Sequence, residues 1–248
     1  MHTKILFALA AGLAVTLTGC GGSDASKIGN VPHGDSPDVT ITSGNALAIA
    51  ADVYRAAAVD APYTASIAMN DDGSINGAAC TDSSAITGTM VMNGNLMGMD
   101  MNYTACVLTS SPTGHQITVD GDCSNMQNTD GSETVSGDAI TFDAAMNPLT
   151  LHAFSVTRTA GDEMMRASGT LHRADGGIVT FRTTVDFSGP ASAPTAGELE
   201  ITGLNDSRML LTIDNATNFT LKVDADGDGQ YETTTQQTWD TDLWMSIP

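Results

Sequence analysis

The sequence predicts a mainly β protein, an antiparallel meander with one N-terminal helix. Three observations lead there. From Tyr63 onward apolar residues alternate with polar ones at period two, the pattern of strands with one wet face. Turn-forming pairs punctuate the alternation at Asp72-Gly73, Asn93-Gly94, Asp130-Gly131, Asp175-Gly176-Gly177 and Asn205-Asp206. The composition agrees: 25 glycines and only 5% aromatic residues suit many short strands joined by tight turns.

The elements follow in chain order. Ser43 can cap a helix over about 43–59 that places Leu47, Ala50, Ala51, Tyr54 and Ala58 on one face, and Ala61-Pro62 stops it. Strands are expected over about 63–248, with clear cases at Ala139–Phe142, Leu149–Thr157, Ile178–Phe187, Leu199–Thr202, Met209–Ile213 and Phe219–Val223. That makes roughly ten to twelve strands, in one β-rich domain over 41–248. Barrel, half-barrel and sandwich all satisfy the pattern. Trp239 and Trp244 are expected to close the core.

Residues 1–19 read as a cleaved signal peptide: Lys4, then an apolar run from Ile5 to Leu17 too short to span a bilayer. The run ends Leu17-Thr18-Gly19-Cys20, which resembles the lipobox of bacterial lipoproteins. The resemblance implies cleavage before Cys20, acylation of its sulfur and, with Gly21 rather than Asp following, an outer-membrane destination. Acyl chains at about 0.8 kcal/mol per buried methylene would hold the chain to the membrane. Residues 20–40, rich in Gly, Ser, Asp and Pro, read as a lipidated flexible tether. Within it Gly34-Asp35-Ser36 resembles the nucleophile block of GDSL-type esterases, but no strand precedes it and a tether does not hold a nucleophile rigidly.

Charge narrows the partners. Nine basic residues against 29 acidic ones give a formal charge of −20. Phosphate binding needs clustered Lys and Arg, so nucleic acid is not an expected partner. The membrane is reached through the lipid anchor; a protein, glycan or lipid partner is not specified by the sequence.

With Cys20 acylated, three cysteines remain for an oxidising compartment, enough for one disulfide and one free thiol. Loop entropy does not choose the pair: about 3.5 kcal/mol for Cys80–Cys106 against about 3.2 for Cys106–Cys123. Register does. With Asn93-Gly94 as a two-residue turn, Met92 faces Asn95, Met90 faces Met97 and Cys80 falls opposite Val107, so one bulge near Gly88 or Gly98 joins Cys80 to Cys106. With Ser110–Gly114 as the next loop, Thr109 faces His115, Cys106 nears Thr118 and Cys123 nears Met101. The expected bridge is Cys80–Cys106, with Cys123 free.

The same hairpin puts Met90, Met92, Met97, Met99 and Met101 on one face, with Cys123 joining from the next strand. Such a face packs as core against the helix, lines a lipid groove, or offers soft sulfur ligands to Cu+.

The strongest chemical motif is Asp224-Ala225-Asp226-Gly227-Asp228-Gly229-Gln230-Tyr231-Glu232. Carboxylates stand at loop positions one, three and five, Gly at six permits a sharp turn, and the Gln230 carbonyl can join at seven, the ligand order of a Ca2+ loop. Position twelve is Thr235 rather than Glu, and the flanks read as strands. The segment is therefore similar to the shorter Asp-x-Asp-x-Asp-Gly calcium loops of extracellular proteins, in which an acid at position nine, here Glu232, closes the site. That resemblance implies Asp224, Asp226, Asp228, Gln230 and Glu232 as metal ligands.

No catalytic set emerges. His33 lies in the tether, His115, His152 and His172 are scattered, and no His-x-x-x-His, Cys-x-x-Cys or nucleophile elbow occurs. The sequence favours a non-enzymatic binding or structural module at the outer membrane. The rivals are an envelope hydrolase acting on glycan or lipid and a Met-lined carrier of copper or lipid. A filled interior would favour the module, and a deep cleft with converging His and Asp the hydrolase.

Overall fold

The computed structural model describes residues 36–239, apart from 71, 73, 81–84, 95, 110–115, 145 and 160–163. The expected signal peptide over 1–19, Cys20, His33, Gly34-Asp35, His115 and Trp244 lie outside the described residues.

Among the described residues, eleven strands form one antiparallel sheet in strict sequence order. They are β1 (Ile86–Asn93), β2 (Leu96–Thr109), β3 (Gln116–Gln127), β4 (Glu133–Ala144), β5 (Asn147–Arg158), β6 (Met164–His172), β7 (Ile178–Ser188), β8 (Ala196–Thr202), β9 (Arg208–Asn215), β10 (Asn218–Asp224) and β11 (Thr233–Thr238). Among the described residues β1 and β11 are the two edges, and these residues form neither a hydrogen-bonded closed barrel nor a sandwich of two sheets.

The helical segment begins at Ala46, not Ser43, and continues through Pro62 to Ile67, so it does not stop at Ala61-Pro62 and residues 63–67 are not strand. It consists of α1 (Ala46–Tyr54), a π-helical stretch (Arg55–Asp60) and α2 (Ala61–Ile67). In a regular α-helix Pro62 would lose a hydrogen bond and press its ring on the preceding turn. The wider π turn immediately before it gives that ring room. The helix is not amphipathic in the expected way either. Every residue from Val53 to Pro62 is buried, and ten consecutive residues point in all directions around a helix axis. The sheet must therefore curl around the helix, making a half-barrel with a helical core. Its many alanines let the strands approach closely. α2 packs beside β3 and β4, the π stretch beside β5 and β6, and α1 beside β10.

The curl is assisted by irregular registers between β2 and β3, β3 and β4, β5 and β6, β6 and β7, and β7 and β8. Such bulges bend a strand and increase its twist. At Gly121 the reason for glycine is explicit: φ is +116°, and a Cβ would stand 2.4 Å from the Ala139 carbonyl oxygen across the ladder.

The inner face is apolar, with Leu108, Val119, Phe142, Leu151, Leu171, Ile201, Leu211 and Phe219 all buried. Trp239 seals one end as expected. It lies edge-on to Tyr54 and Phe219, and its indole N–H donates to the Ser192 carbonyl at 2.9 Å. The outer face is polar, knitted by pairs such as Thr134–Thr157, Thr141–Thr150, Arg166–Asp186 and Arg182–Glu200.

The disulfide joins Cys80 to Cys106, and Cys123 is a buried thiol outside that bridge. The route to that bridge differs from the expected register. Asn93 faces Leu96 rather than opening the turn with Gly94, so Met90 faces Met99 and Met92 faces Met97. This is a slip of two, which leaves every side chain on its expected face. Cys80 precedes β1, at the end of a short 3-10 turn over Gly77–Ala79. The β1–β2 ladder runs without a bulge at Gly88 or Gly98, and the irregularity in β2 is on its other side, against β3, between Tyr103 and Cys106. There Ala105 has φ +44° and donates its amide to Asp120. Beyond it Thr109 faces Gln116, not His115, and Cys106 faces Val119, not Thr118. Before it, Met101 faces Cys123 as expected.

Candidate metal centre

The acidic segment forms the connection between β10 and β11. The ladder closes at Val223 opposite Thr233, and Thr235 is already paired with Leu221 inside β11. Position twelve of an EF-hand is therefore strand here, and the loop is the shorter kind.

Asp224 anchors it. This residue ends β10 opposite Arg208 of β9 and is 0% exposed. Its carboxylate accepts the amides of Gly227 (2.8 Å) and Gly229 (2.9 Å) and the Arg208 Nε–H (3.0 Å). Three donors, one of them charged, are what a fully buried carboxylate requires. The chain turns back over Asp224 because Gly227 and Gly229 hold positive φ, +76° and +94°. Gly229 stands at loop position six, where the motif requires the sharp turn.

The other acids are fixed by local backbone bonds. The Asp228 amide donates to Asp226 at 3.2 Å, the Gln230 amide to Asp228 at 2.8 Å, and the Ala225 amide to Glu232 at 2.8 Å. The result is convergence: one carboxylate oxygen from each of Asp224, Asp226, Asp228 and Glu232 lies within 4.8 Å of the other three. Two unit charges 4 Å apart repel by about 1 kcal/mol even in water. A carboxylate has about four lone-pair sites, so these hydrogen bonds leave acceptor capacity for a cation. An all-oxygen donor set of four carboxylates suits a hard divalent ion. Gln230 sits in the same loop, its backbone amide donating to Asp228.

A second turn backs the loop. Between β8 and β9, Asn205 and Asp206 both adopt left-handed backbone, φ +55° and +61°. Gly227 packs on this turn so closely that a Cβ would stand 2.3 Å from the Asn205 carbonyl oxygen. Arg208 also lies over the Tyr231 ring, 5.8 Å from its centroid. Tyr231 is pushed above its ordinary pKa chiefly by burial, which outweighs the opposing pull of Arg208.

The methionine face divides. Met99, Met101 and Cys123 are buried, and the Tyr103 hydroxyl lies 3.4 Å from the Met101 sulfur. Met90 and Met92 are 44% and 70% exposed, and Met97 is half-buried. The six residues share one face but not one environment.

One pairing had no sequence signal. His152 and His172, twenty residues apart, stack with ring centroids 4.1 Å apart. They meet because His152 faces Thr170 and His172 faces Thr150 across β5 and β6, a diagonal visible only once the register is known. Nearby on the outer face is a depression of about 320 Å³ lined by Thr180, Phe181, Arg182, Glu200 and Thr202. Its acid, Glu200, is engaged by Arg182 at 2.7 Å.

Comparison with protein-family models, with characterised proteins and with solved structures finds no match to this chain.

Proposed function

We propose that this chain is an outer-membrane-anchored lipoprotein whose half-barrel serves as a non-enzymatic binding or structural module, with a calcium ion pinning the β10–β11 hairpin. The observation that carries the calcium reading is the convergence of four carboxylate oxygens within 4.8 Å on a loop whose backbone already holds them in place. The filled interior supports the module over the hydrolase, because the helix occupies the concavity that a substrate would need. The lipid anchor rests on the Leu17-Thr18-Gly19-Cys20 signature and on the Gly/Ser/Asp-rich residues behind it. Exposed loops of this kind bind Ca2+ at about 0.1–1 mM, a range met outside cells.

Two measurements test this. Native mass spectrometry during a Ca2+ titration should show one ion per chain, absent from the Asp226→Asn/Asp228→Asn variant; equal loading of that variant would refute the site. Expression with a labelled fatty acid should label the native chain and not Cys20→Ser, and a label that survives that substitution would remove the anchor.

A further inference from the structure

Beyond this reading, we propose a soft-metal site for Cu+ at the β1–β2 corner of the half-barrel, built from the thioethers of Met69, Met97 and Met99 and flanked by Met90 and Met92. After α2 ends at Ile67 the chain folds back on itself, with Met69 bridged to Ile75, and lies against the inner face of β1. Ile75 packs on Gly88, where a Cβ would meet its Cδ1 at 3.0 Å. This flap leaves Met99 and Met101 buried, while Met90 and Met92 stay largely open.

Under the flap's edge is a cavity of about 30 Å³ lined by Met69, Met97, Met99, Asn125, Gln127 and Glu133. That volume admits one water-sized occupant. Asn125 is 4% exposed; its amide nitrogen lies 3.9 Å from the Met69 sulfur, and its Oδ1 has no hydrogen-bond partner. An orphaned buried carbonyl is unfavourable unless something occupies the space it faces. Cross-strand pairing sets Met90 against Met99 and Met92 against Met97, so five thioethers gather at one corner. Neutral sulfur donors favour a soft monovalent ion, whereas the oxygen donors of the β10–β11 loop favour a hard divalent one. The two sites therefore do not compete. Met101 and Cys123, sealed beside Tyr103, belong to the core and not to this site.

The test is anaerobic competition for Cu+ against bicinchoninate, on the chain carrying Cys20→Ser and Cys123→Ala so that no thiol contributes. The expected result is one Cu+ withdrawn per chain, with affinity weakened about tenfold or more, some 1.4 kcal/mol, in Met69→Leu/Met97→Leu. Met101→Leu should bind as the parent does. Leu for Met conserves volume and polarity, and circular dichroism checks that each variant is folded. No Cu+ withdrawn, unchanged binding by Met69→Leu/Met97→Leu, or an equal loss in Met101→Leu would each overturn the proposal.

Discussion

Asp60 shows what the helical core costs. It is buried in the π stretch with Arg55, its Oδ2 3.6 Å from the guanidinium Nε. Burial pushes its pKa up to about 7, against the opposing pull of Arg55. In the unfolded chain it titrates near 3.8, so the folded state binds an extra proton between these values. The stabilisation is complete below about pH 4 and is lost as pH rises through about 7. Asp60→Asn should therefore be more stable than the parent at pH 8, by an amount on the order of a few kcal/mol, with the difference shrinking by pH 4.5. Urea unfolding at both pH values measures this, and a constant difference would refute it. Gly227 is the second sensitive position. Alanine there would combine positive φ with a backbone clash against Asn205, and should cost about 1–3 kcal/mol. Gly131, also at positive φ but with open space around it, should lose less when changed to alanine. Equal losses would mean that the contact with Asn205 contributes nothing.

At the scale of elements, the strands were legible and the helix was only half so. Alternation and turn chemistry located β5, β7, β8, β9 and β10 within a few residues, and the second half of β4, because each strand has one wet and one buried face. The helix was cut short because proline is read as a stop, and a π turn leaves no period in the sequence. The hairpin register slipped by two because a two-residue shift leaves the same side chains inside. For that reason the methionine face was found although its pairings were not. Met69, Asn125 and the stacked histidines were missed because they depend on chain return and strand register rather than spacing. The four converging carboxylates were legible because they lie within nine consecutive residues. The Cys80–Cys106 bridge ties the turn that precedes β1 to the second half of β2. Replacing both cysteines with serine should cost about 2–4 kcal/mol, read as a lower midpoint in denaturant. An unchanged midpoint would mean the local packing suffices without it.

Over the whole molecule, one sign of charge dominates, and a formal −20 works against compactness. Added salt should raise the melting temperature by screening, and Ca2+ should raise it further than Mg2+ at equal ionic strength. At a hundredfold excess over its dissociation constant, a ligand that binds only the folded state adds about 2.7 kcal/mol. For a domain of this size that is roughly 5–10 °C. Differential scanning calorimetry of the native chain and the Asp226→Asn/Asp228→Asn variant separates the two effects. Equal responses to calcium in both would mean that only screening is at work.

The strict meander order carries a mechanical consequence. Each strand is bonded only to its neighbours in sequence, so tension applied at the C-terminal end loads β11 against β10, then β10 against β9, one ladder at a time. Tension from the N-terminal side meets a different arrangement. Val39 and Asp38 are clipped to Leu204 and Ile178, far along the chain, and the helix threaded through the concavity lies directly behind them. Pulled from its tail the protein should peel in small steps; pulled from its head it should hold, then give way at once as its core is drawn out.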